Sequence, residues 1–285
     1  MNAAVVMPAH DEATLIGRSL RALLADAAPG EFDVVVVANG CTDDTAAVAR
    51  DVGGPVRVVE LAEASKAAAL RAGDAAVGVP ADARPVLYVD ADVVLPTAAA
   101  RALVAALAEP GVVGASTSVR LHLDGASTLV RSYFRVWSRL PSIREGLGGR
   151  GVYALSAEGR ARFGAFPDII ADDRYVDLLV GPDERRIIAA SSEVTPPSTL
   201  RSLVSTRVRT LLGNLQLESV PGMPSGAGRP SGGWRGVVRD EPARVVDLPA
   251  YLGVNLVARL LAHRRLRSGR LGWSRDQSSR GSGGV

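Results

Sequence analysis

Four short valine-rich runs, Ala3–Met7, Asp33–Ala38, Val56–Glu60 and Val86–Asp90, alternate with helix-like stretches near 13–26, 43–52, 64–77 and 97–108. Each run is nearly continuous in apolar character, which suits a strand covered on both faces of a parallel sheet. In the first helical stretch Leu15, Ile16, Ser19, Leu20, Leu23 and Leu24 make a one-sided stripe. This β–α alternation predicts an α/β chain with an open, mostly parallel, doubly wound sheet. Ligands of such sheets gather at the carboxyl ends of the strands.

The segments that follow the runs are therefore the candidate site loops. They read Pro8-Ala9-His10-Asp11-Glu12, Asn39-Gly40-Cys41-Thr42-Asp43-Asp44-Thr45, Glu60 onward, and Asp90-Ala91-Asp92. Carboxylates that converge on one sheet edge suggest a cation or a sugar-nucleotide. Asp90 and Asp92 flank one turn after a buried strand, and hard divalent cations take such oxygen ligands together with substrate phosphates.

Beyond residue 110 the pattern changes. A longer strand is expected over Val112–Leu121, then a helix with Tyr133, Phe134 and Trp137. The glycine run Gly146–Gly151 leads into a strand over Val152–Leu155, and carboxylates cluster within 167–180. Pro196-Pro197-Ser198 precedes a helix near 199–218, with Ser198 as the expected N-cap. Residues 221–236 read as a Gly/Pro/Ser linker, 248–267 as a last helix, and the segment after Trp273 as a disordered tail.

Composition narrows the function. The net charge of +3 gives no case for nucleic-acid binding. Cys41 is the only cysteine, so no disulfide or cysteine cluster is expected, and His10, His122 and His263 lack metal-ligand spacing. Lys66 is the only lysine among 33 basic residues. No signal peptide is read at the start, and no run of apolar residues of membrane-spanning length is seen.

The segments Val5–Glu12, Val35–Thr45, Lys66–Gly73 and Tyr88–Asp92 occur in the order found in family 2 glycosyltransferases, which this chain resembles over roughly residues 3–215. The resemblance implies a GT-A-type, Rossmann-like open sheet flanked by helices, with a C-terminal helical extension. It implies a nucleotide-sugar-binding half at 1–110, an acceptor-binding and catalytic half at 111–220, and a mobile linker, basic helix and disordered tail at 221–285. The implied reaction is metal-assisted, inverting transfer of a hexosyl or deoxyhexosyl group to an acceptor hydroxyl. Pro8, Ala9, His10, Glu12, Asn39 and Asp43 would hold base and ribose, and Lys66 would lie near the nucleotide. Asp92 would ligate Mg²⁺ or Mn²⁺ beside Asp90 and Ala91, and Gly149 and Arg150 would line the donor sugar. Arg207 and Arg209 stand where the family carries a diphosphate-binding arginine segment, although its Gln and Trp are missing here. Asp172 and Asp173 match the family's acidic pair, with Asp173 as the base and Asp168, Asp177 and Asp183 as decoys. Ala38 stands where many members carry an acid, which leaves UDP-, dTDP- and GDP-linked donors open.

The expected acceptor is a glycan, glycolipid or small molecule. Between Asp247 and Asp276 there is no acid, while Arg259, Arg264, Arg265, Arg267, Arg270 and Arg275 follow a leucine-rich segment. Two readings stay open there: a helix on the inner face of a membrane beside a cytoplasmic enzyme, or a helix packed on the protein's own core. A dehydrogenase is excluded because no G-x-G-x-x-G follows the first strand. The alternatives carried are a sugar-phosphate nucleotidyltransferase, whose glycine-rich basic loop is missing here, and a noncatalytic nucleotide-sugar-binding protein.

Overall fold

The structure, a computed structural model, describes residues 2–79, 83–223 and 233–267. The elements run β1 (Ala3–Ala9), α1 (Ile16–Leu24), β2 (Phe32–Asn39), α2 (Thr45–Val52), β3 (Val56–Leu61), α3 (Lys66–Val77), β4 (Val86–Val89) and α4 (Thr97–Leu107). They continue with β5 (Gly114–Leu121), α5 (Thr128–Trp137), α6 (Pro141–Arg144), β6 (Val152–Leu155), α7 (Ala157–Ala161), α8 (Asp172–Leu179) and β7 (Arg185–Val194). The last elements are α9 (Leu200–Leu217), α10 (Trp234–Asp240) and α11 (Leu248–Arg267).

A seven-stranded sheet has the order β3-β2-β1-β4-β6-β5-β7. The first four strands pair in parallel. β6 then runs antiparallel to both β4 and β5. All seven residues of β1 are buried, which accounts for its unbroken apolar run. Ile16, Leu20 and Leu23 of α1 enter the same core as Leu103 and Leu107 of α4. Close packing explains a small residue on α3: a Cβ at Gly73 would meet Val6 Cγ1 at 2.3 Å.

The chain divides into two compact units. Unit 1 comprises residues 1–120, 145–168 and 172–194, and holds the sheet. Unit 2 comprises residues 121–144, 169–171 and 195–285. Within unit 2, Val130, Tyr133 and Phe134 of α5 pack with Leu203 of α9 and Val254 of α11. Val208, Leu211 and Leu212 of α9 pack with Ala258 and Ala262 of α11. Asp247, 1% exposed, accepts from Arg135 Nε at 3.0 Å on both oxygens and from Arg135 Nη2 at 2.6 Å on Oδ1.

Three expectations need correction. Thr199, not Ser198, caps α9, its side chain accepting the Ser202 N–H. The strand β7 was not foreseen, because its alternating, half-buried residues lack the continuous apolar signature of β1 and β2. A helical run over Pro242–Leu266 is long and apolar enough to cross a membrane by length and composition alone. Counting consecutive apolar residues missed it, because Arg244, Asp247, Asn255 and Arg259 interrupt the apolar sequence without ending the helix. Most of the expected linker, and Arg270, Arg275 and the expected tail, lie outside the described residues.

Candidate active site

Apart from Arg207 and Arg209, the sequence-predicted residues lie in unit 1, in three groups at the carboxyl ends of β1, β2 and β4 and beside them. The first group joins the loops after β1 and β2. Buried Asn39 donates through Nδ2 to Ala9 O at 2.7 Å, and its own carbonyl meets His10 Nδ1 at 2.7 Å. The Glu12 N–H donates to Thr45 Oγ1 at 2.6 Å, and the Ala13 N–H to Asp43 Oδ2 at 3.2 Å. Pro8 and Ala9 are buried in β1, whereas His10 and Glu12 are half-buried and Asp43 is exposed.

Asp11 is the one non-glycine described residue with positive φ, at 47°. Aspartate tolerates this left-handed region better than most residues. Its Oδ1 accepts the Thr42 N–H at 2.5 Å and so ties the two loops. Burial raises the Asp11 carboxyl, but the Thr42 hydrogen bonds and His10 outweigh it, and the net direction is downward. Ligand atoms of His10, Asp11 and Cys41 lie within 4.8 Å of one another, a grouping that the spacing of the histidines did not reveal. Cys41 Sγ there accepts the Asp11 N–H at 3.3 Å, a loop-bracing contact.

The second group centres on Lys66, the first residue of α3. Ser65 caps that helix by accepting the Ala68 N–H at 3.2 Å. Lys66 Nζ lies 2.7 Å from Asp90 Oδ1 and 3.0 Å from Asp172 Oδ1. Burial pulls the ammonium down, yet Asp172, Asp90 and Asp173 together hold it above its usual range. Asp172 is 3% exposed, and its Oδ2 accepts from Tyr153 Oη at 3.1 Å. Burial pushes the Asp172 carboxyl up to about 6, against the attraction of Lys66. Asp90 and Asp92 are half-buried on either side of buried Ala91. This oxygen-only pair is a hard donor set that suits Mg²⁺ or Mn²⁺.

The third group is the glycine run. The Asp90 N–H donates to Gly151 O at 2.8 Å. Gly151 has φ of 67°, and a Cβ there would meet Val93 Cγ2 at 2.5 Å and Asp90 Oδ2 at 3.2 Å. Only a glycine brings the backbone so close to that carboxylate. At the other end, the Gly149 N–H donates to Asp173 Oδ2 at 2.6 Å. Asp172 and Asp173 form the first turn of α8, where acids also suit the helix dipole. Asp173 is half-exposed, in contrast to Asp172. Arg150 is 2% exposed and donates to Thr117 O, with burial lowering its guanidinium to about 10.

Several residues that hold this arrangement were not singled out from the sequence. Asp177, expected as a decoy, is buried and accepts the Leu147 N–H at 2.8 Å, Arg185 Nη1 at 2.6 Å and Arg174 Nη1 at 2.6 Å. It thereby anchors the start of the glycine run. Tyr153 stacks on Tyr88 with ring centroids 4.9 Å apart. Tyr88 Oη donates to Asp74 Oδ1 at 2.6 Å, and Asp74 Oδ2 pairs with Arg160 Nη2 at 2.6 Å. The sequence did carry one signal: Asp74 interrupts the apolar face of Leu70, Gly73 and Val77 on α3, where an acid needs a partner. Arg207 and Arg209 lie on α9 in unit 2, with Arg207 Nη2 3.3 Å from Asn255 Oδ1. Asp168 pairs with Arg71 at 2.7 Å.

The sequence profile described as glycosyl transferase family 2 matches residues 4–155. No curated protein matches the chain. Among solved structures, the mannosyltransferase PcManGT from Pyrobaculum calidifontis, in complex with GDP-Man and Mn²⁺, is 21% identical with a TM-score of 0.58. That similarity covers 94% of this chain and 79% of PcManGT. Glucosyl-3-phosphoglycerate synthase from Mycobacterium tuberculosis, in complex with Mn²⁺, UDP-Glc and phosphoglyceric acid, is also 21% identical. There the TM-score is 0.48, with 67% of this chain and 70% of the other covered.

Proposed function

The chain belongs to glycosyl transferase family 2, and we propose that it moves a hexosyl or deoxyhexosyl group from a nucleoside-diphosphate sugar to an acceptor hydroxyl, with inversion at the anomeric carbon. The observation that carries this reading is the Lys66 bridge. One ammonium joins Asp90, at the end of β4, to Asp172, in the acidic pair of α8. It holds the carboxylates on the donor side in register with those on the acceptor side.

On this reading the loops braced by Asn39 and Asp43 hold base and ribose, with Pro8, Ala9, His10 and Glu12 forming the wall. The donor is UDP-, dTDP- or GDP-linked, and the GDP-Man and Mn²⁺ bound by PcManGT support that class. Asp92, with Asp90 beside it, would hold Mg²⁺ or Mn²⁺, which when bound neutralises charge gathering on the leaving diphosphate. Gly149 lines the sugar, and Arg150 acts through the backbone it fixes.

The acceptor oxygen forms a bond to the anomeric carbon as the bond from that carbon to the phosphate oxygen breaks. The bonding pair leaves with the nucleoside diphosphate, and the hydroxyl proton passes to a carboxylate. We assign that base to Asp173. Its half-buried position supports the choice, since Asp172 is 3% exposed whereas Asp173, though it accepts the Gly149 N–H, still reaches the surface. Residues 1–110 would then serve the donor and 111–220 the acceptor, a glycan, glycolipid or small molecule. The setting proposed is the cytoplasm, at the inner face of a membrane.

The test is release of nucleoside diphosphate from a panel of UDP-, dTDP- and GDP-sugars with Mg²⁺ or Mn²⁺. One donor should turn over, and excess chelator or Asp92→Asn should abolish it while circular dichroism stays native. Full activity in chelator overturns the metal assignment, and no turnover with any donor overturns the function.

A further inference from the structure

We propose that the outer face of α11, with the turn before it, is a docking surface for a bilayer rich in anionic phospholipid. The inference gives a partner to the peripheral setting proposed above. It rests on the sugar-transfer reading only for what the bilayer would deliver, an acceptor carried in lipid.

Eleven large hydrophobic side chains are exposed among the described residues, and eight of them fall within 245–266: Val245, Val246, Leu252, Leu256, Val257, Leu260, Leu261 and Leu266. Val246 is 76% exposed, Leu256 60% and Leu260 57%. Such a concentration exceeds the scattered apolar residues of an ordinary surface and marks a contact region.

The helix is two-sided. Val254, Ala258 and Ala262 are buried against α5 and α9. Leu252, Leu256 and Leu260 follow the same four-residue spacing, and at 100° per residue they stand about 200° around the axis from that stripe. One face of the helix is thus committed to unit 2, and the opposite face is apolar and uncovered. A spanning helix would have to give up the packed face; a helix lying in the interface keeps it.

Charge selects the occupant. No acid occurs between Asp247 and Asp276, while exposed Arg259 and Arg264 flank the leucines. Two copies meeting helix to helix would bring Arg259 and Arg264 together, and α11 itself carries no carboxylate to set between them. Anionic headgroups supply the missing negative charge, and the leucines enter the acyl boundary below them.

The experiment is co-sedimentation of the full chain with vesicles of phosphatidylcholine alone and of phosphatidylcholine mixed with phosphatidylglycerol. The expected result is strong binding to the anionic vesicles, weakening with salt. Arg259→Gln with Arg264→Gln should lower that binding at least about tenfold, each arginine being worth roughly fivefold. Leu256→Asp with Leu260→Asp should lower it by a similar factor or more while far-UV circular dichroism and nucleoside diphosphate release stay at wild-type level. Two results overturn the proposal: no sedimentation of the wild-type chain with anionic vesicles, or binding that neither pair of substitutions changes. A dimer by light scattering that the aspartates dissolve, without vesicle binding, also overturns it and assigns the face to a second copy. Vesicle binding without turnover of any nucleotide-sugar leaves docking standing and removes sugar transfer; turnover without vesicle binding does the reverse.

Discussion

The two units of this chain use apolar sequence in opposite ways. Unit 1 buries β1 and nearly all of β2, and none of the exposed large hydrophobics among the described residues belongs to it. All eleven, including Leu129, Ile170 and Leu200, belong to unit 2. Their buried polar groups differ too. Unit 1 sinks one ion pair whole, Asp74 with Arg160, and in the candidate site buried Asp172 meets Lys66, whose side chain is 29% exposed. Unit 2 buries Asp247 against Arg135, whose side chain is 40% exposed. Unit 1 thus satisfies its buried charges internally, whereas unit 2 leaves large apolar side chains uncovered.

The largest effect expected is catalytic and confined to unit 1. Asp173→Asn should keep donor binding near wild type and lose transfer by about 100-fold or more, the usual scale of a lost general base. If Asp172→Asn is inactive while Asp173→Asn transfers at the wild-type rate, the roles in the pair are exchanged. If both remain active, the acidic pair has no catalytic part.

Stability separates the units next. Asp74 and Arg160 are 4% and 3% exposed, so Asp74→Ala strands a buried cation and should cost about 3–5 kcal/mol in urea unfolding. Asp247→Ala frees an arginine that already reaches water, and about 1–2 kcal/mol is expected. Equal losses would break the contrast between the two units.

The pH dependence sharpens it. Burial moves the folded Asp172 carboxyl from the ordinary 3.8 to about 6, so the fold favours its neutral form relative to the unfolded chain. That contribution to stability is complete below 3.8 and is lost as pH rises through about 6. The Lys66 bridge requires the ionised form, so transfer should rise with pH across the same window. Lys66→Gln removes both the bridge and the cation that holds the value down, so transfer should fall at every pH and the acid limb of the remaining kcat/KM should move upward by about one pH unit or more. An unmoved limb would mean that another group titrates.

The smallest effect is expected on the outer face of α11. Leu256→Ser should change unfolding free energy by less than about 0.5 kcal/mol, because the side chain is 60% exposed. A loss above about 2 kcal/mol would show that the leucine face is part of the unit's own core.

Much of the candidate site was legible because single residues in fixed loops stand out from their neighbours. Asp90-Ala91-Asp92 after a buried run, Asn39-Gly40 after another, and a lone lysine at a helix start all stand in a linear string. Asp177 was set aside because its worth comes from Leu147, Arg174 and Arg185 converging on it, and nothing in the order of residues shows three donors meeting at one carboxylate.

By itself the sequence determined the parallel strands, since an unbroken valine run has no stable place except between two covered faces. It also determined the acids at the strand ends, which follow from chain order alone. Only the tertiary structure decided that Lys66 bridges Asp90 and Asp172, that β6 turns antiparallel beside β4, and which stripe of α11 is covered. The physical reason is common to all three. Each depends on which groups from distant segments share a few ångströms, and the balance of burial, pairing and exposure is struck only there.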